Sequence, residues 1–249
     1  MAMIGLFDTP LYKGRRNILV NQLKAKGSFN ERILRAIAAV PRHIFVMEGM
    51  EEFAYNDTPV AIEAGQTISQ PSTVALQTQL LGLFDNPTST DGIRQSPRVL
   101  EIGTGCGYQS AVLFYLGAEV FTIERQEKLY KQARKNLVKA GYLFDNEQED
   151  THTSEQEYVQ NHITDKIHLH LGDGYNGLPE IAPFDGIVVT CGANEIPNSL
   201  LHQLKVGAKM VIPIGEKLYT VERKSSELFQ KKEHGSANFV PMLKGVVKY

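Results

Sequence analysis

From Arg98 onward, short apolar runs alternate with segments of helical period, and few folds accept such an alternation. The runs are RVLEIG (98–103), AEVFTIE (118–124), KIHLHLGDG (166–174), FDGIVVT (184–190) and AKMVIPIG (208–215). Between them, Gln109–Leu116, Lys128–Ala140 and Pro197–Leu204 carry helical patterns. Strands separated by helices of this length form crossover units, so an α/β fold with a mostly parallel, open sheet and helices on both faces is expected. The run Ile187-Val188-Val189 is continuously apolar, as suits a strand covered on both sides. The last 35 residues suggest a closing antiparallel hairpin only weakly.

Upstream the texture is helical. Asn30 can cap a helix that places Ile33, Leu34, Ile37 and Ala38 on one face and ends by Pro41. A stretch dense in Gly, Pro, Thr and Ser runs from Tyr55 to Pro71, and Ser72–Phe84 is again helical in pattern. No internal repeat is present, and 249 residues suffice for one large core. We therefore expect a single domain over 1–249: an N-terminal helical and loop part (1–84) and an α/β core (98–249). Two stretches interrupt the plan. Residues 85–97 are turn chemistry throughout, and residues 143–165 hold seven acidic residues and no Lys or Arg. Both read as solvated surface insertions, the second with a capping box at Ser154-x-x-Glu157.

Charge and cysteine content narrow the function classes. Lys plus Arg total 26 against 28 for Asp plus Glu, a net charge of −2, which argues against a nucleic-acid binder relying on a basic face. Cys106 and Cys191 are too few for a disulfide framework and form no CxxC pair, so a reducing compartment fits. No run approaches 18 apolar residues, and the N-terminus lacks the apolar region of a secretion signal. The expectation is a cytoplasmic, monomeric protein with neither nucleic acid nor membrane as partner.

The sharpest local signal is Glu101-Ile-Gly103-Thr104-Gly105-Cys-Gly107-Tyr108, between a strand and a helix. Glycines there let the backbone turn tightly and approach a ligand, while the helix start offers free N–H groups. The dinucleotide fingerprint requires a third glycine where Tyr108 stands, and no Gly-Lys-Ser/Thr follows, so a P-loop is excluded. The spacing instead resembles the loop with which class I methyltransferases hold S-adenosylmethionine, with Glu101 opposite its ammonium. Glu124 ends the next strand, where a carboxylate can accept from ribose hydroxyls; Arg125 follows it. Asp173, between Gly172 and Gly174, ends the third strand, where the adenine would lie. Each has a plain alternative: an exposed Glu at a strand end, a turn Asp. Gly65-Gln66-Thr67-Ile68-Ser69-Gln70-Pro71 gathers hydroxyl and amide groups, but by itself it reads as well as a helix entry, with Pro71 in the first turn and Ser69 or Gln70 as cap.

Taken together, GQTISQP (65–71), VLEIGTGCGY (99–108), VFTIER (120–125), GDG (172–174), EIPNSLL (195–201), VIPIG (211–215) and FVPM (239–242) resemble the protein-L-isoaspartate O-methyltransferase family in content and order. The opening segment 17–46 is similar too, so the resemblance runs roughly from Asn17 to Lys244. It implies a class I, Rossmann-like methyltransferase fold with S-adenosyl-L-methionine as cofactor and S-adenosyl-L-homocysteine as product. The implied substrate is the α-carboxylate of L-isoaspartyl residues in damaged proteins and peptides, whose methyl ester reverts through a succinimide. It further implies that Ser69 orients the attacking carboxyl group, with Gln66, Thr67, Ile68, Val240 and Pro241 around the substrate. Departures are Cys106, where the family has a small residue, Thr190-Cys-Gly-Ala193 after the fourth strand, and the two insertions. Another class I methyltransferase, or a module that binds isoaspartyl ends without turnover, are the competing readings. No metal site is expected: His168 and His170 share a strand face, with His162 ahead of them, but no carboxylate completes a recognised spacing. Cys106 is expected to be small apolar filler.

Overall fold

The computed structural model describes residues 7–27, 29–85, 96–144 and 166–249. The insertions 85–97 and 143–165 fall almost wholly outside them, as do Ser154–Glu157 and His162 entirely. The seven-stranded sheet consists of β3 (Arg98–Ile102), β4 (Glu119–Glu124), β5 (Ile167–Leu171), β6 (Phe184–Val189), β7 (Leu204–Ile214), β8 (Lys217–Arg223) and β9 (Phe229–Ser236), in the order β5-β4-β3-β6-β7-β8-β9. The first five positions in that order are joined by parallel pairing, and β8 and β9 add antiparallel edges. The weakly signalled C-terminal hairpin is thus present. A separate two-stranded ribbon pairs β1 (Val60–Ala61) with β2 (Thr67–Ile68) and frames the loop that carries Ser69.

Successive residues of one strand feed two different cores. Val99, Val120, Val188 and Val211 face a core shared with Leu19, Leu23, Ile33, Ile37 and Phe45 of the N-terminal region. Their neighbours Leu100, Phe121, Ile187, Val189, Met210 and Ile212 face the second. Burial on both faces explains why these strands read as continuous apolar runs. The helices are α1 (Pro10–Lys26), α2 (Glu31–Ala39), α3 (Pro71–Leu80), α4 (Tyr108–Tyr115), α5 (Glu127–Lys139) and the short α6 (Asn198–His202). Asn30 caps α2 as expected, its side chain accepting from the Arg32 N–H at 2.8 Å. Two elements differ from the sequence pattern: α3 stops at Leu80, and β7 begins four residues early, at Leu204.

The strand order positions the site. From β3 the chain builds outward through β4 to β5, then returns to lay β6 on the other side of β3. The connections after β3 and β6 therefore leave in opposite directions and open a crevice at the C-terminal ends of these strands.

Candidate active site

The glycine loop rises out of this crevice from β3. Gly103 and Thr104 both direct their N–H to the Ile123 carbonyl, at 2.9 and 3.2 Å, which turns the chain sharply off the strand. Gly103 has φ +96°, and a Cβ there would lie 2.6 Å from the Thr190 Oγ1, so no other residue fits without displacing the end of β6. Glu124 closes the loop from the next strand: its carboxylate accepts from the N–H of Gly105 and of Gln126, each at 2.9 Å. Glu124 is 5% exposed, and burial raises its pKa against the pull of these N–H groups. Thr104 bonds Thr122 at 2.6 Å and pins the loop to β4.

Three adjoining hollows surround the loop, and Thr67 and Thr190 border all of them. The main cleft, of about 680 Å³, runs between the loop and the C-terminal segment; Gly103, Gly105, Glu124, Arg125 and Gly174 line it, with Gln66, Thr67, Val240 and Pro241. At Gly174 a side chain would collide with Ile102, so the cleft floor stays bare. A second hollow of about 920 Å³ is lined by Ser69, Gln70, Thr73, Phe239 and Val240, among others. A third, of about 360 Å³, lies between Ser69, Ile68 and the loop, and reaches Glu101, Thr104, Cys106, Tyr108 and Gln109. Gly107, Gly172 and Asp173 border none of the three. Gly107 instead packs against Leu137 of α5. Asp173 accepts from the N–H of Tyr175 at 2.9 Å and of Gly245 at 2.7 Å, fastening the C-terminal segment. Arg125 works in the same direction, its Nε donating to the Gly245 carbonyl at 3.1 Å.

Glu101 is wholly buried rather than presented to the cleft. The Ser110 hydroxyl donates to its Oε2, while Oε1 has no partner among the described residues. Burial pushes its pKa up to about 8, only partly countered by the hydroxyls of Ser110 and Thr122, and the nearby Glu124 carboxylate adds to the rise. Tyr108 OH and Gln109 Oε1 are likewise buried and unpartnered. The third hollow is therefore bordered by three residues each with a buried polar atom that has no partner among the described residues.

Ser69 does not cap a helix. Gln70 occupies the cap position of α3 with no side-chain cap bond, and the Ser72 N–H is taken at 2.8 Å by Asp57. The Ser69 carbonyl accepts from Arg42 Nη2 at 2.8 Å; among the described residues its hydroxyl has no partner. Burial raises Cys106 to about 11 and Cys191 to about 12, so neither thiol is an activated nucleophile. His168 Nε2 lies 3.2 Å from Glu119 and its ring stacks on Phe121. Among the described residues no three His, Cys, Asp or Glu side chains gather to hold a metal.

Sequence reasoning missed Thr190, Cys191, Gln126, Met242 and Arg42. Thr190 had a usable signal, as the first residue past the strand beyond the reversal in strand order. Its Oγ1 lies 2.6 Å from the Gly103 carbonyl, to which it donates. Arg42 had no such signal, since nothing in PRHIFV tells a buried guanidinium from a surface one.

The chain matches the family model for protein-L-isoaspartate(D-aspartate) O-methyltransferase over residues 14–247. It is 45% identical to the protein-L-isoaspartate O-methyltransferase of Flavobacterium psychrophilum over 239 residues, covering 95% of this chain and 97% of that one. Identity to the Christiangramia forsetii enzyme of the same name is 44%, with the same coverage. Among solved structures, a Plasmodium falciparum chain assigned to these methyltransferases and crystallised with S-adenosyl-L-homocysteine superimposes with a TM-score of 0.72 at 23% identity, covering 92% of this chain and 99% of that one. A further solved protein-L-isoaspartate O-methyltransferase gives 0.70 at 26% identity, over 91% of this chain and 65% of its own.

Proposed function

Because the chain belongs to the protein-L-isoaspartate O-methyltransferase family, we infer that it transfers a methyl group from S-adenosyl-L-methionine to the α-carboxylate of L-isoaspartyl residues in damaged proteins and peptides. The neighbouring backbone amide nitrogen then attacks the ester carbonyl and expels methanol to form a succinimide, which water opens toward normal aspartate. One observation carries the reading at the site: the unpartnered Ser69 hydroxyl and the Glu124-closed glycine loop border hollows that meet at Thr67 and Thr190.

The site's own atoms fit the cofactor. Glu101 borders the third hollow and its Oε1 has no partner among the described residues; the arrival of an ammonium would draw this carboxyl group into its ionised form. The Glu124 carboxylate borders the main cleft, held by two main-chain N–H groups and with lone pairs to spare for a diol. Gly103, Gly105 and Gly174 leave room for close approach. The cofactor supplies a methyl group made electrophilic by its sulfonium. The protein's part is orientation and exclusion of water, which contribute roughly 7 to 11 kcal/mol in well-aligned reactions. A carboxylate of ordinary pKa, about 3.5 to 4, is ionised at neutral pH and needs no general base. Ser69 then orients the carboxylate from the second hollow, Gln66, Thr67 and Ile68 shape the passage, and Val240 and Pro241 wall it.

No helix among the described residues is long and apolar enough to cross a membrane. A monomer acting in the cytoplasm without nucleic acid completes the reading, supported by the net charge of −2 and two free cysteines. The deciding experiment is transfer of labelled methyl from S-adenosylmethionine to an isoaspartyl peptide and to its aspartyl twin. Labelling of the isoaspartyl peptide alone is expected; binding without transfer, or equal labelling of both, would overturn the reading.

A further inference from the structure

A buried cation with no carboxylate partner among the described residues holds the main chain of Ser69. Arg42 is 0% exposed. Its Nε donates to the Ala54 carbonyl and its Nη2 to the Ser69 carbonyl, both at 2.8 Å, and the guanidinium carbon lies 4.7 Å from the centre of the Tyr108 ring. Nη1 has no hydrogen-bond partner among the described residues. No described carboxylate comes within ion-pair distance. Asp57, the one whose field reaches it, is already taken by Lys26 and by the Ser72 N–H, each at 2.8 Å. A guanidinium keeps its proton in a protein, so burying one unpaired costs stability unless a negative charge arrives. Ser69 itself lines the second hollow, Arg42 does not, and none of the described side chains lining it is charged. The proposed substrate brings a carboxylate to that hollow.

We propose that Arg42 is a positioning residue that supplies the counter-charge for the substrate carboxylate, acting through the peptide group of Ser69 rather than by contact. The inference rests on the isoaspartyl reading above. The Nη2 hydrogen bond polarises the Ser69 carbonyl, and the N–H of that same peptide belongs to Gln70, which lines the hollow. Unit charges about 7 to 10 Å apart, the order of separation that one intervening peptide group imposes, change an equilibrium constant roughly fifteenfold to fiftyfold at an effective dielectric of about 20. During transfer the carboxylate loses its charge, so the counter-charge holds the bound carboxylate at least as firmly as the transition state. Its removal therefore raises KM and spares kcat.

The test is steady-state kinetics of the wild type, R42M and R42K on an isoaspartyl peptide. Calorimetric affinity for S-adenosylhomocysteine is measured alongside, with inhibition by the same peptide carrying a carboxamide in place of the α-carboxylate. R42M should raise KM roughly tenfold or more with little change in kcat, leave the affinities for S-adenosylhomocysteine and for the carboxamide peptide unchanged, and R42K should restore KM. A lowered kcat at unchanged KM, or equal weakening of the carboxamide peptide, would mean that Arg42 only shapes the loop and would overturn the proposal. Should R42M not fold, R42K decides: with the charge kept, the preference for carboxylate over carboxamide must survive, and its loss overturns the proposal. A wild type inactive on the isoaspartyl peptide would bring down the functional reading and this one with it. An active wild type with an unaffected R42M would bring down only this one.

Discussion

At the scale of single residues, the hydroxyl of Ser69 and the carboxyl of Glu101 separate two kinds of burial. Ser69 is anchored by its carbonyl and, among the described residues, its hydroxyl has no partner, so removing that hydroxyl should cost turnover and little stability. A hydroxyl bonded to a charged carboxylate contributes about 1.5 to 3 kcal/mol. Ser69→Ala should therefore lower kcat/KM on an isoaspartyl peptide roughly tenfold to a hundredfold, with S-adenosylhomocysteine affinity intact by calorimetry. A normal rate with a lowered melting point would return Ser69 to a structural role. Glu101 is the reverse case, a carboxyl group whose pKa burial lifts from 4.5 to about 8. The folded protein keeps a proton there that the unfolded chain has released. This contribution to stability is complete below about pH 4.5 and is lost as the pH rises toward 8. The melting temperature of the ligand-free wild type should fall between pH 5 and 8 relative to Glu101→Gln, which has nothing to titrate there; parallel curves would refute the assignment. Neither property was legible from residue types. The motif match placed Ser69, but spacing alone left it a cap, and Glu101 reads as a counterpart of the ammonium, with nothing in its spacing to show that its strand is covered on both faces and the carboxyl group wholly buried.

At the scale of elements, the strands and helices of the core followed from period and apolar runs, because burial on two faces imposes exactly that pattern. The early start of β7 escaped notice because Leu204-Lys205-Val206-Gly207 pairs only loosely with β6, through a register shift between Phe184 and Gly186. The C-terminal segment was the least legible element of the site. It has no period of its own and is placed by single hydrogen bonds to strand ends: the Gly245 N–H to Asp173, the Val247 N–H to the Arg125 carbonyl at 2.8 Å, and the Glu127 N–H to the Val247 carbonyl at 3.0 Å. Asp173 thus supports the cleft wall formed by Val240, Pro241 and Met242 without lining the cleft itself. Asp173→Ala should loosen that wall and weaken S-adenosylhomocysteine binding by about 1 to 3 kcal/mol, with faster amide exchange confined to residues 240–249. Unchanged exchange there would separate Asp173 from the wall.

At the scale of the whole molecule, the crevice between β3 and β6 follows from strand order, and strand order is where sequence reading stops. Alternation announces a parallel sheet, but the pattern does not say on which side of β3 the fourth strand lands, so Thr190 at the end of that strand read only as a departure from the family and not as part of the site. The acidic stretch calls for a boundary correction. Leu143 packs against the N-terminal core and its N–H bonds the Leu137 carbonyl at 3.3 Å, so the replaceable portion begins after Phe144. Long surface loops cost little entropy to close. Exchanging residues 145–165 for a short Gly-Ser connection should leave the melting temperature and peptide methylation nearly unchanged, and loss of activity in a folded variant would give the acidic stretch a part in recognition.

Val240 borders both the main cleft and the hollow beside Ser69. One stretch of backbone thus serves as a party wall between two tenants. A ligand on one side that orders this wall would spare a ligand on the other side the same entropy. Linkage makes the benefit mutual: the factor by which cofactor tightens peptide is the factor by which peptide tightens cofactor. With cofactor in the main cleft and peptide in the hollow beside Ser69, S-adenosylhomocysteine should therefore lower the Kd of an isoaspartyl peptide, and equal affinity with and without it would refute the coupling.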